Sequence, residues 1–292
     1  MTASLPTRLL LALLFASFIL SACGADPTPA ATSTPPLPPT PTPVPLAATV
    51  NGEGIPWAEF EAELARYQQA QAEVGSAASA EEASVIVLDD LIDQTLLAQA
   101  AAAEGYSVDD AALQARIDKL AAQIGGAEAL SAWQAAHGYT EADFRSALRR
   151  QMAAAWMRDR IIAAVPAAAE QVHVRQILFH NADEAQNVFA LLESGWDFQA
   201  LAEQYYPVTK GELGWFPRGY LVHPEIEAAA FALQPGEYSP VVQSAVGYHL
   251  LYVVERDPAR PLSPDALLTL QEQALQDWLT QRRNASTIVI VP

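Results

Sequence analysis

Nine of the chain's 21 prolines stand between Asp26 and Pro45, interspersed with Thr, Ala and Ser. A run so poor in backbone donors completes neither a helix nor a sheet ladder, and it carries too little apolar surface for a core. It reads as a semi-rigid extended tether of about 3 Å per residue. The folded part of the 292-residue chain is therefore confined to the residues C-terminal to the tether, with room for one large domain or two ordinary ones. Hydrophobic residues at 51% against charged residues at 17% supply packed cores there. The formal net charge is −18, from 34 acidic and 16 basic residues. Such a surface repels phosphate backbones, so no nucleic acid is expected among the partners and basic partners are favoured.

The segment before the tether has its own signature. Leu9 to Leu20 is an apolar run of 12 residues behind a single positive charge, Arg8. It is shorter than the about 20 residues that span a bilayer and reads as the core of a signal peptide. Leu20-Ser21-Ala22-Cys23 comes directly after it and resembles a bacterial lipobox, which implies lipidation of the Cys23 thiol. Cys23 is the sole cysteine, which excludes an internal disulfide and a Cys-based zinc cluster. The expectation is a lipoprotein signal peptide at 1–22, a Pro/Thr-rich tether at 23–46, and an exported chain. That chain is lipid-anchored to the membrane through Cys23 and faces the periplasm or the cell exterior.

From Ala47 to about Pro166 the pattern is helical. Trp57, Phe60, Leu64 and Tyr67 recur at three or four residues behind Pro56, which suits a first helical turn. Val85, Leu88, Leu91, Ile92 and Leu96 mark a second helix that stops at Gly105. Ser107 with Asp110 reads as a capping box for a third, whose apolar face carries Leu113, Ile117, Leu120 and Ile124 before Gly125-Gly126. Thr140 with Asp143 opens a long fourth helix through Phe144, Leu148 and Trp156.

After Pro166 the grammar changes. Val172–Phe179 alternates and is β-prone, three short helices come next, and Tyr238–Ser244 and Gly247–Val254 read as strands around a turn. Ser263–Arg283 returns to helix, and the β-branched run Thr287–Val291 needs a partner strand, for which Ala47–Val50 is the candidate. The fold class is thus α+β: a discontinuous helical domain, 47–168 with 258–292, and an inserted small α+β domain with an antiparallel sheet at 169–257.

Hydrolase and metal signatures are missing: no Gly-x-Ser-x-Gly elbow, Walker loop, His-Glu-x-x-His or Rossmann fingerprint occurs. His173 and His180 share one strand region while His223 and His249 lie far off in sequence, so no metal and no cofactor is expected. Acidic pairs such as Glu81-Glu82 and Asp89-Asp90 read as solvated helix faces.

Four blocks in order carry more. Gly195-x-x-Phe198-x-x-Leu201-Ala202, Gly211-Glu212-Leu213-Gly214-Trp215-Phe216, Ala230-Phe231-x-Leu233-x-Pro235-Gly236-Glu237-x-Ser239-x-Val241 and Gly247-Tyr248-His249 resemble the parvulin family of peptidyl-prolyl isomerases. The flanking helical halves resemble the chaperone domain of bacterial extracytoplasmic foldases of the SurA and PrsA type. The resemblance implies an apolar proline slot at Leu213, Leu221 and Ile226 with Phe216 and Phe231 close by, and polar site residues Gln176, Ser244 and His249. It also implies unfolded or nascent exported polypeptides as partners. The polar half departs from the family: Gln176 stands where parvulins usually place a histidine, and Tyr206-Pro207-Val208-Thr209-Lys210 supplies neither the usual Asp nor Cys. The expected function is a membrane-anchored foldase that catalyses cis/trans isomerisation of X-Pro bonds, weakly with this polar set. The alternative is a non-catalytic chaperone with a degenerate parvulin domain. A solute-binding lipoprotein shares the lipobox, but the long run of helices before any strand does not suit two α/β lobes.

Overall fold

The computed structural model describes residues 44–75 and 79–291. The expected signal peptide, Cys23 and nearly all of the tether lie outside the described residues.

Asn51 and Gly52 both take left-handed conformations, φ 53° and 87°, and so form a two-residue hairpin turn between β1 (Leu46–Val50) and β2 (Glu53–Pro56). β7 (Ile288–Ile290) pairs antiparallel on the other side of β1, with Ala48 opposite Ile290 and Val50 opposite Ile288. Asn51 locks this junction. Its N–H donates to Thr287 O at 2.8 Å, and its Oδ1 accepts the Thr287 N–H at 2.9 Å. Its Nδ2 donates to Gln99 Oε1 at 2.9 Å and Ser286 Oγ at 3.2 Å. The strands bury Ala48, Val50 and Ile55 against Phe60 of α1 (Trp57–Glu73) and Leu91, Ile92 and Leu96 of α2 (Ala80–Ala103).

α2 opens with a reciprocal capping box between Ser79 and Glu82. α3 (Asp110–Ile124) does not use the expected Ser107 cap: the chain enters two residues later, and Asp109 accepts the Ala112 N–H at 2.7 Å. Either residue satisfies an orphan helix donor, and Asp109 stands nearer the apolar stripe that starts at Leu113. A short helix, α4 (Ala127–Ala136), occupies the stretch after Gly126, and Thr140 caps α5 (Glu141–Ala163) as expected. α9 (Pro264–Asn284) packs Leu279 against Leu97, Ala100 and Ala101 of α2 and Ala154 and Met157 of α5. Arg283 pins its end to α2, donating to Asp93 Oδ1 at 2.6 Å, Asp89 Oδ1 at 2.8 Å and the Asp89 carbonyl at 2.9 Å. Asp89 thus lies on a solvated face, as expected, and also anchors α9 to α2.

The second sheet is antiparallel with strand order β4-β3-β6-β5. It contains β3 (Ala168–Phe179), β4 (Glu212–Pro217), β5 (Val242–Ser244) and β6 (Gly247–Pro261). Both faces are covered. Ile177, Phe179 and Leu250 point to α6 (Ala182–Glu193) and α7 (Phe198–Tyr205). Val172, Val174, Leu251 and Val253 point to α8 (Pro224–Ala232). This is the period-two alternation of strands with a core on each side. β4 overlaps the Gly211–Phe216 block, ending one residue past it at Pro217, and adds a strand to the order read from sequence. The expected strand from Tyr238 shrinks to β5, because Pro240 lacks an N–H and the Ser239 hydroxyl accepts the Leu251 N–H at 3.0 Å. Only a single bridge, Tyr238 to Tyr252, precedes it.

The strands that enter and leave this small unit adjoin. Ala168 lies opposite Pro261, and the Leu262 N–H donates to Ala167 O at 2.9 Å. Among the described residues, no helix is long and apolar enough to cross a membrane.

Candidate active site

Gln176 on β3, His249 on β6 and Ser244 at the end of β5 converge on the sheet face that packs against α8. Strand alternation puts Gln176 in line with Val172 and Val174, and His249 in line with Leu251 and Val253. His249 is 2% exposed. Its Nδ1 lies 3.1 Å from Gln176 Oε1 and its Nε2 lies 2.7 Å from Ser244 Oγ. A carboxamide oxygen only accepts, so Nδ1 carries the hydrogen, and Nε2 then accepts from the Ser244 hydroxyl. Ser244 Oγ in turn accepts the Val246 N–H at 3.1 Å. One tautomer of one imidazole thus completes the chain of bonds. Burial pushes the His249 pKa below its ordinary value, His223 adds to the same effect, and Glu225 opposes it. The ring is neutral at pH 7.

His223 and Glu225 are the neighbours that the sequence reading missed. His223 stands at the start of α8 just before Pro224, without a side-chain capping bond, and its Nδ1 lies 3.8 Å from Glu225 Oε1. Its distance in sequence from His249 hid the proximity. The signal was its place between two slot residues, Leu221 and Ile226.

The five apolar residues expected at the slot form one cluster with the sheet face. Phe216, Ile226 and Phe231 are 1%, 5% and 5% exposed, while Leu213 and Leu221 are half-buried at the cluster's margin. The Phe231 ring meets Phe216 edge-on at 6.1 Å and carries the Arg218 guanidinium 4.0 Å above it. Leu213 and Leu221 are thus the more exposed members of the cluster, and Phe216, Ile226 and Phe231 are buried within it. Leu221 is held by its loop, in which Glu227 accepts the N–H groups of Gly219 at 2.8 Å, Tyr220 at 3.1 Å and Leu221 at 3.4 Å.

The short segment before β4 contributes backbone and a phenol. The Gln176 N–H donates to Gly211 O at 2.7 Å. The Tyr206 hydroxyl lies 3.3 Å from both the N–H and the carbonyl oxygen of Leu178, accepting from one and donating to the other. The site therefore combines a dry apolar wall with a neutral imidazole, a hydroxyl and a carboxamide. Ser244 and His249 do form a hydroxyl–imidazole pair, but the ring is 2% exposed and its Nδ1 faces a neutral carboxamide, with no carboxylate to stabilise an imidazolium. That set suits a conformational reaction better than a bond cleavage.

Comparison with known proteins identifies two domains. Residues 1–158 match the SurA-like N-terminal domain and residues 167–267 match the PPIC-type PPIASE domain. The foldase protein PrsA of Halalkalibacterium halodurans is 36% identical over 124 residues, covering 38% of this chain and 37% of the relative. The chaperone SurA of Ralstonia nicotianae is 37% identical over 146 residues, covering 43% of this chain and 29% of the relative. The matched stretches span well under half the length of these curated relatives. A crystal structure of the peptidylprolyl isomerase PrsA from Bacillus cereus aligns with a TM-score of 0.45 at 21% identity, over 82% of this chain and 85% of that one. Because the first domain match alone takes in more than half of the sequence, the chain belongs to the SurA-like family, and it carries a PPIC-type peptidyl-prolyl isomerase domain.

Proposed function

We propose that the protein is an extracytoplasmic foldase that binds unfolded exported polypeptides and slowly isomerises their X-Pro bonds. The observation that carries this reading is the Gln176–His249–Ser244 chain of hydrogen bonds beside the apolar margin of Leu213 and Leu221. Rotation of a peptide bond faces a barrier of about 18–20 kcal/mol, set by amide resonance. Lowering it requires no nucleophile and no net proton transfer, only surroundings that favour the twisted amide over the planar one. Leu213 and Leu221 seat the proline ring over Phe216 and Ile226. The Gln176 NH2 group is not used in the bond to His249 and is free of that bond to donate to a substrate carbonyl. A carboxamide in place of an imidazole is a weaker preorganised partner, and a loss of about 3 kcal/mol of transition-state stabilisation slows the reaction roughly 100-fold.

Exchange NMR on a proline-containing peptide tests this. Catalysis above the uncatalysed rate is expected, reduced by His249→Ala and raised by Gln176→His. Activity indifferent to His249→Ala would show that other polar groups carry the reaction.

A second reading, a chaperone without catalysis, is favoured by a groove of about 870 Å³ in the helical part. Leu97, Tyr106, Met152, Trp156, Leu275 and Leu279 line it, and its charged lining is mixed, with Asp90 and Asp159 beside Arg116 and Arg158. Absence of exchange catalysis in a protein that still slows client aggregation would favour this reading.

Membrane attachment through Cys23 is part of the proposal and rests on the lipobox alone. Cys23→Ala is expected to move the protein from the membrane fraction to the soluble exported fraction. A wild type already soluble, with an unmodified thiol, refutes the anchor.

A further inference from the structure

We propose that Gln273, on α9, is a positioning residue for the proline slot, a role that rests on the isomerase reading above. The loop from Arg218 to His223 joins β4 to α8 and carries Leu221 at the margin of the slot. It is a projecting loop, with Val222 90% exposed. From within the small unit, Glu227 holds it by accepting three successive amide hydrogens, those of Gly219, Tyr220 and Leu221. The second support comes from outside that unit: Gln273 Nε2 donates to the Gly219 carbonyl at 2.5 Å.

The approach of α9 to this loop is close. Gly219 has φ +82°, and a Cβ there would lie 2.7 Å from Gln273 Oε1 and 3.2 Å from Leu270 Cδ2. The backbone conformation favours glycine, and a Cβ there would push the end of the Gln273 side chain away from its contact with the loop. Residue 273 lies beyond the segment matched by the isomerase domain, which ends at 267. The loop that seats the proline is therefore clamped between Glu227 on one side and the helical part of the protein on the other. The same helix lines the large groove through Leu275 and Leu279. Without the Gln273 bond the Gly219 carbonyl loses its support from α9, the loop is left to Glu227 and to Arg218 over the Phe231 ring, and Leu221 is less firmly fixed relative to Leu213. A small displacement of a slot wall is costly to a reaction that depends on seating.

The test uses the full chain with Gln273→Met, which keeps the side-chain length without a donor, and Gln273→Lys, which keeps a donor. Three quantities are measured: kcat/KM for a proline peptide by exchange NMR, hydrogen exchange of the Gly219, Tyr220 and Leu221 amides, and the melting temperature. Gln273→Met is expected to lower kcat/KM about fivefold, the worth of one ordinary hydrogen bond. It should also speed exchange of the three amides while the melting temperature stays near that of the wild type. Gln273→Lys is expected to recover most of both losses. Unchanged amide exchange and unchanged kcat/KM in Gln273→Met overturn the proposal, as does a loss that follows the melting temperature and is not recovered by lysine. A wild type that catalyses no exchange refutes the isomerase reading separately. Peptide affinity from chemical-shift changes then replaces kcat/KM, and the loop amides still decide whether Gln273 holds the loop.

Discussion

Gly211→Ala is expected to destabilise the protein by about 3 kcal/mol, the sum of a left-handed alanine and an overpacked contact. Gly211 has φ +70°, and a Cβ there would stand 2.3 Å from the Gln176 carbonyl oxygen and 3.4 Å from Ala202 Cβ. Relief by backbone movement is opposed, because the Gln176 N–H donates to Gly211 O at 2.7 Å and ties the two segments together. Any shift falls on Gln176, whose side chain faces His249. The loss of stability and the loss of the polar site should therefore appear together, the first as a lower denaturant midpoint and the second as a changed His249 ring resonance. A midpoint close to that of the wild type would mean that the turn before β4 has slack that the contacts do not show.

Asn51→Ala is expected to cost about 2 kcal/mol, from the left-handed backbone and three side-chain hydrogen bonds at an exposed junction. Asn51→Gly separates the two parts, since glycine accepts φ 53° at no steric cost but makes none of the bonds to Gln99, Ser286 and Thr287. The glycine variant should lie between alanine and wild type in a denaturant titration of the full chain. Equal destabilisation by alanine and glycine would assign the whole effect to the side chain.

The elements that were legible in the sequence are those with a strong period or a clear deficit. The stripes Phe60–Leu64–Tyr67 and Leu91–Ile92–Leu96 announce α1 and α2 because helices bury one face. Thr287–Val291 announces a strand because a β-branched apolar run needs a ladder, and its partner at Ala48–Val50 is the nearest comparable run in the same half of the fold. What was not legible was punctuated or short. β4 is hidden by Gly211, Gly214 and Pro217, which read as loop although β3 supplies the ladder. β2 is four residues long, and its only announcement is the Asn51-Gly52 pair, whose residues favour a tight hairpin turn. α4 is a ten-residue, alanine-rich helix whose buried positions are Leu130 and Gln134, too few for a stripe. His249 lies in one of the ordered blocks, Gln176 and Ser244 came from the family resemblance those blocks carry, and both stand within hydrogen-bond reach of His249. His223 was not found, because side chains gathered by a helix start and a strand end leave no spacing rule between them.

The adjoining entry and exit of the small unit bear on the order in which the chain folds. The Thr287 amide and the Asn51 side chain that accepts it are 236 positions apart, and β1, α2 and α5 are synthesised long before α9 and β7 can cover them. Until then Leu97, Ala100 and Ala101 lack Leu279, and one edge of β1 lacks its ladder. Contacts so distant in sequence are slow to form, because the entropy of closing the loop comes before any gain. The small unit draws on nearer contacts and is expected to complete first; once Ala168 lies opposite Pro261, its ends are adjacent and α5 and α9 are brought close. On that expectation the small unit serves its own chain as a splint, bringing the two halves of the helical core within reach of each other before they pair.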